Sequence, residues 1–477
     1  MNKKWEFYNS DENKIKEISQ KFNISELLAT VLVNRNIIKD EDVKLFLDPT
    51  RNDFHDPYLM PDMEIAVNRI VKAIEEQEKT MIYGDYDVDG ITSITVLSKF
   101  LKECGLDVGS YIPNRLDEGY GLNREAIKSI ADQGYKLIIT VDCGISGTAE
   151  IDYAYSLGME VIVTDHHEPL EILPKALAVI DCKRKDNKYP FNSLAGVGVA
   201  FKLVQAIGIK LGIPENKYLK YLDIVCIGTI SDIVPLVDEN RVIVKLGLKL
   251  VEQTKNLGLK AILQSSGYGK IDSSTISFGV APRINACGRM GHQEEALKLF
   301  LSKEPEKVSE LTQKLNEYNR IRQETEKSIY NSAVEQIDKN KLYNRNTIVL
   351  MEKNWHHGVI GIVASKITEM YFKPSILLCE EEKIGKGSGR SIPGFDLYEA
   401  LTECKESIEK FGGHSMAVGI NIKKDNLEEF KEKLEKIAQE MHIDEIVPIL
   451  KIDAQINLDD VTKEMVESLK ELEPFGE

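Results

Sequence analysis

Acidic residues recur in this 477-residue chain directly after short apolar runs. MIYG leads into Asp85, Asp87 and Asp89, LIITV ends at Asp142, and VIVT ends at Asp165, which His166 and His167 follow. A further acid, Asp232, closes the apolar run IGTIS. Carboxylates gathered in one place raise one another's proton affinity, so such a group stays ionised only if a cation holds it. Hard oxygen donors suit Mn2+ or Mg2+, and an added imidazole tilts the choice towards Mn2+. This many acids leave room for two ions. Two ions ~3.5–4 Å apart form the arrangement that hydrolyses phosphoesters, activating water and clamping the leaving oxygen.

Plainer explanations compete. An Asp after a strand is often a helix N-cap, and for Asp142 or Asp232 taken singly that is the better account. Adjacent histidines can occupy an ordinary solvated turn. DYDVDG resembles the opening of a calcium loop, but Thr95 and Val96 fall where its closing glutamate belongs, and an apolar strand precedes it. It is the combination of acids and histidines at one inferred surface that singles out a metal. Anion-binding candidates lie further along. GKGSGRS (385–391) reads as a tight glycine loop carrying Ser388 and Arg390, with N–H groups open to a phosphate. GGHSMAVG (412–419) places His414 on a glycine-rich turn, and APRINACGRMG (281–291) offers Arg283, Asn285 and Arg289. Each alone could be a turn with a surface arginine; beside a metal site they read as a substrate track. P-loop, HExxH, GxSxG and GxGxxG patterns are missing from the sequence.

The elements that must position these groups are legible. MIYGD (81–85), VGSYI (108–112), KLIITVD (136–142), EVIVTD (160–165) and ALAVID (176–181) alternate with amphipathic pieces such as SITVLSKFLKECG and NREAIKSIADQG. Apolar strands separated by amphipathic helices predict βαβ units and a parallel sheet, with ligands at the carboxyl ends of the strands. The pattern predicts a helical region over 1–60, with a proline-punctuated connector at 48–62, and an α/β domain over 61–300. Over 301–345 it predicts one long linking helix or two shorter ones, with Pro305 in the first turn. A smaller α/β domain follows over 346–445. Residues 446–477 read as the start of a strand pair and helix that then stops, so the chain looks cut. With 42% hydrophobic and 29% charged residues, several domains can each bury a core. The net charge of −16 argues against coating nucleic acid over the whole surface, yet leaves room for a local basic groove. No apolar run has membrane-spanning length, and the polar start carries no secretion leader. Seven cysteines without a CxxC pair suggest reduced thiols in a cytoplasmic protein.

YGDYDVDG, TVDCGIS, TDHHE and GTISDIVPL, in this order, resemble the four motifs of the DHH phosphoesterase superfamily. GVIGIVASK and GGHSMAVG resemble its companion DHHA1 domain. YIPNRLDEGYGL, LAGVGVAFKL, APRINACGRMG and GKGSGRS narrow the likeness, from about residue 40 to the end, to the RecJ group of single-strand-specific 5′→3′ DNA exonucleases. The resemblance implies an α/β fold: a parallel-sheet DHH domain, a long helix, a DHHA1 domain and the start of a β-rich OB-like domain. It implies Asp87, Asp89, Asp142, His166 and Asp232 as ligands of two divalent cations, Mn2+ preferred or Mg2+, with Asp142 bridging. Asp85 would support the catalytic site, and His167 would meet the scissile phosphate. Arg115, Ser388 and Arg390 match positions that hold the 5′ end, Arg283 is a weaker match, and His414 would line the DHHA1 part of the channel. Tyr83 stands where some DHH enzymes carry a histidine, which puts one first-metal ligand in question. The implied substrate is single-stranded DNA with a free 5′ end, digested to mononucleotides in recombination and repair. The implied partners are a single-strand-binding protein and a helicase, with no membrane. Two rivals stand beside this reading: a DHH phosphodiesterase for short oligonucleotides or cyclic dinucleotides, and a non-catalytic DNA-binding scaffold, against which the retained acids speak.

Overall fold

A computed structural model describes residues 3–115 and 118–476. The chain forms two units. One is built from Asn9–Tyr318 and the chain from Asp453 onward; the other from the chain up to Tyr8 and Asn319–Ile452.

The opening strand, β1 (Lys4–Phe7), finds its partner only far along the sequence. In the larger unit β2 (Thr80–Gly84), β3 (Val108–Tyr111), β4 (Leu137–Val141), β5 (Glu160–Asp165) and β6 (Ala178–Asp181) form a parallel sheet in the order β3-β2-β4-β5-β6. Alternate residues serve opposite faces, as strand geometry requires. Ile82, Leu137, Ile139 and Ile162 enter one apolar core, while Met81, Tyr83, Ile138 and Val161 enter another. Burial on both faces explains why these strands read as unbroken apolar runs. The helix Val88–Glu103 leaves directly from the end of β2.

The run ending at Asp232 is a helix, Leu222–Ser231, rather than a strand. Every residue from Leu222 to Ile230 is buried, and a helix covered all round carries no amphipathic period. Nearby, Lys202 and Glu239 form a fully buried ion pair at 2.7 Å. Glu239 also accepts from the His55 N–H at 3.0 Å and from the Tyr189 hydroxyl, while Lys202 donates to the His55 carbonyl at 2.7 Å. A single helix runs from Pro305 to Lys339, and the division between the units falls within it.

The second unit holds β7 (Ile348–Glu352), β8 (Ser375–Glu381), β9 (Ile384–Arg390), β10 (Lys410–His414) and β11 (Ala417–Lys423), ordered β10-β11-β9-β8-β7. GKGSGRS is therefore not a phosphate-cradling loop. It lies in β9, the middle strand, paired with β8 on one side and β11 on the other. Its backbone N–H groups are taken up by the two ladders. The glycines are there for space: a Cβ on Gly387 would lie 2.5 Å from Leu378 Cδ2 and 2.6 Å from the Leu377 carbonyl oxygen. GGHSMAVG forms the β10–β11 hairpin. Within the described residues, the 446–477 segment supplies one strand, β12 (Ile449–Ile452). It pairs in parallel with β1 instead of forming a strand pair of its own. Among the described residues no helix is long and apolar enough to cross a membrane.

Candidate metal centre

The centre is assembled at the carboxyl ends of β2, β4 and β5, with Asp232 brought in at the end of the helix Leu222–Ser231. Asp87 is the N-cap of the helix Val88–Glu103, its Oδ1 accepting from the Gly90 N–H at 3.0 Å. The capping explanation thus holds for this residue, and it nevertheless stays within the acid cluster. Asp89, in the first turn, is 1% exposed and accepts from the Gly196 and Val197 N–H groups at 2.6 and 2.9 Å. Asp142 leaves β4 in the left-handed region, at φ 58, strain that a functional position can hold. Its carboxylate packs on Gly196, where an added Cβ would lie 2.7 Å from Oδ1.

Donor atoms of Asp85, Asp87 and Asp142 lie within 4.8 Å of one another, as do those of Asp89, His166 and Asp232, and those of Asp142, His166 and His167. His166 Nε2 sits 3.1 Å from Asp142 Oδ1 and 3.9 Å from Asp89 Oδ2, and its Nδ1 sits 3.6 Å from Asp232 Oδ2. Burial, then neighbouring carboxylates, drive Asp85, Asp89 and Asp142 well above the ordinary carboxylate range. Asp232 is pushed up to about 7 by burial and by Asp87. Burial, with the charge of His167, lowers His166 to about 4, leaving the neutral imidazole that a metal takes.

Asp165 is fully buried and acts on its neighbours. Its Oδ1 accepts from His167 Nδ1 at 2.7 Å and from the His166 and His167 N–H groups at 2.8 and 3.2 Å, while Oδ2 accepts from the Ile145 N–H at 2.9 Å. Burial is the largest single influence and lowers the His167 pKa, but the bond to Asp165 and the charges of Asp165, Asp232 and Asp85 together outweigh it and raise the pKa. The Tyr120 hydroxyl lies 3.2 Å from His167 Nδ1 and 3.3 Å from the Asp142 carbonyl oxygen. Tyr83 takes no part in the cluster; its hydroxyl donates to the Gly121 carbonyl at 3.0 Å.

Models of two domain families match the chain: the N-terminal domain of the DHH family over residues 79–229, and the DHHA1 domain over residues 344–440. The single-stranded-DNA-specific exonuclease RecJ of Bacillus subtilis is 40% identical over 99% of this chain and 60% of its own length. The RecJ of Dickeya dadantii is 33% identical over 86% of this chain and 75% of its own. The chain belongs to the RecJ family. It spans 60% of the length of the Bacillus relative. The crystal structure of Thermus thermophilus RecJ in complex with Mn2+ superimposes with a TM-score of 0.86 at 29% identity, over 99% of this chain and 68% of that one. The complex of the same RecJ with Mg2+ gives 0.79 at 27% identity, over 99% and 66%.

Two buried donors in the centre, Asp85 Oδ1 and His166 Nε2, have no hydrogen-bond partner. Orphaned donors among oxygen-rich neighbours fit a divalent cation of the kind those RecJ structures hold. The other RecJ-like positions fall in different places. The Arg115 guanidinium lies 5.0 Å over the Tyr86 ring and holds down the proton affinity of Asp85, which places it at the rim of the cluster. Arg283, Asn285 and Arg289 lie on the helix Ala281–Arg289 rather than on a loop. Arg283 turns into the fold, its Nε donating to Asn316 Oδ1 at 2.7 Å. Asn285 is half-buried, and the Arg289 charge reaches Tyr86. In the second unit Arg390 donates from Nη1 to Ser388 Oγ at 2.8 Å, and His414 stands exposed at the end of β10. Sequence reasoning counted Asp165 only as a strand-end acid and passed over Tyr120, although YIPNRLDEGYGL had marked that loop.

Proposed function

We propose that the chain is a divalent-cation-dependent exonuclease that removes nucleotides one at a time from the 5′ end of single-stranded DNA. The carrying observation is the gathering of Asp85, Asp87, Asp89, Asp142, Asp232 and His166 with two orphaned buried donors. The RecJ names of its relatives support the substrate. Asp87, Asp89, Asp142, His166 and Asp232 would hold two cations, Asp142 belonging to two of the donor groups and Asp85 supporting them. When bound, the ions supply Lewis acidity that activates water and neutralises phosphate charge. His167 keeps its Nδ1 on Asp165 and presents Nε2 to the scissile phosphate, where charge develops. Arg115, Ser388 and Arg390 grip the 5′ end through charge-assisted hydrogen bonds. Asn285, Arg289 and His414 contact the strand, with Arg283, on the same helix as the first two, a weaker candidate for the same role. End trimming in recombination and repair, in the cytoplasm and alongside a single-strand-binding protein and a helicase, is the setting this activity suits.

The test is a single-stranded oligonucleotide labelled at its 3′ end, incubated with the purified chain and Mn2+. EDTA and Asp142→Ala controls run alongside. The expected result is a metal-dependent ladder shortening from the 5′ end, with duplex spared. Faster turnover of a dinucleotide than of the long strand would replace this reading with a short-substrate phosphodiesterase. Binding of DNA without metal-dependent cleavage would indicate a scaffold.

A further inference from the structure

The segment after β3 is held from several sides. Glu118 accepts from the Tyr111 hydroxyl at 2.8 Å, the Asn114 N–H at 3.0 Å and Asn123 Nδ2 at 2.6 Å. Tyr83 secures the next stretch through the Gly121 carbonyl. Between these anchors stands Tyr120, 47% exposed, edge-on to the His167 ring at 5.7 Å. Its hydroxyl meets two groups of the centre: the Asp142 carbonyl, which can only accept, and His167 Nδ1. One arrangement satisfies all of them. The tyrosine O–H donates to the Asp142 carbonyl, and its oxygen joins Asp165 Oδ1 in accepting the single proton on His167 Nδ1.

We infer that Tyr120 is a positioning residue: with Asp165 it clamps the His167 ring with a proton kept on Nδ1, leaving Nε2 to face the substrate, and ties it to the main chain of Asp142. The inference rests on the proposed nuclease reading for its catalytic consequence, though not for its geometry. A second strut matters because Asp165 contacts the ring at one atom, Nδ1, a bond that does not itself oppose rotation about it, even with the His166 ring 4.4 Å away between centroids. Tyr120 meets the ring edge-on and opposes that rotation. Nε2 then points one way.

The test compares Tyr120→Phe, which keeps the ring and loses the hydroxyl, with Tyr120→Leu, which loses both. Turnover of 3′-labelled single-stranded DNA is read beside the 15N spectrum of histidine-labelled protein loaded with Mg2+, with His167 assigned from His167→Gln. In the unsubstituted chain His167 is expected to give the Nδ1–H signature. Tyr120→Phe should shift or broaden it and lower kcat by about 2- to 12-fold, the worth of one hydrogen bond, with KM unchanged. An unprotonated Nδ1 in the unsubstituted chain would overturn the inference. So would a Tyr120→Phe variant with unaltered spectrum and kcat. A loss confined to Tyr120→Leu and to KM would make Tyr120 a stacking platform for a base instead. Absence of cleavage by the unsubstituted chain would defeat the nuclease reading, while the spectra would still decide the clamp.

Discussion

Gly387→Ala separates the two roles a glycine-rich strand could have. A Cβ there would approach the Leu377 carbonyl oxygen to 2.6 Å and Leu378 Cδ2 to 2.5 Å. The leucine methyl can rotate away; the carbonyl belongs to β8, which pairs with β9, and cannot move without stretching that ladder. Overpacking of this kind costs about 1–3 kcal/mol. Against it stands a gain of roughly 0.4–1 kcal/mol from a stiffer unfolded chain. A net loss of about 1–2 kcal/mol is expected, and with a urea slope of about 2 kcal/mol/M the midpoint should fall by about 0.5–1 M. Both tryptophans of the chain, the exposed Trp5 and the buried Trp355, lie in the unit that contains β9. Intrinsic tryptophan fluorescence therefore follows that unit's unfolding. An unchanged midpoint together with weakened handling of 5′-phosphorylated DNA would refute the packing argument and restore the phosphate cradle.

Three further outcomes are expected. Arg390→Ala should reduce discrimination in favour of 5′-phosphorylated over 5′-hydroxyl DNA by about 10- to 100-fold, the worth of one charge-assisted bond. Equal loss on both substrates would mark Arg390 as a support for Ser388. Asp232 has its folded pKa raised from 3.8 to about 7, so the cation-free fold loses stability as pH rises through that window. A cation binds the ionised form, so the rise in Tm on adding Mg2+ should be larger near pH 8 than near pH 6; equal rises by calorimetry would contradict the ligand assignment. Lys202→Met would strand the Glu239 carboxylate in the core and should cost about 3–5 kcal/mol in thermal unfolding, and a loss below about 1 kcal/mol would show the pair to be dispensable.

The parallel sheet and its acidic ends were legible because strands buried on both faces carry nothing but apolar residues until they reach the site. Asp232 was found while its element was left unassigned: a helix covered on every side gives the same apolar text as a strand. GKGSGRS misled for a different reason. Its glycines answer to Leu377, Leu378 and Val418, neighbours set by sheet pairing rather than by adjacent sequence. Tyr120 could not be singled out from its own segment, since its value comes from meeting His167 and Asp142. The bond of Arg283 to Asn316 likewise joins residues too far apart in sequence to be read together.

The pairing of β1 with β12 sets a timetable for synthesis. Lys4 lies opposite Ile449, so β1 must wait for a partner made much later. At about 5–20 residues per second, those roughly 445 residues take about 20–90 s to emerge. Through that interval Trp5 and Phe7 accompany a strand whose sheet partner, among the described residues, does not yet exist. An unpaired strand that carries Trp5 and Phe7 and is held that long is exposed to pairing with another chain. Slower translation would lengthen the exposure, and a holdase that shields extended segments would act on β1 long before β12 is made.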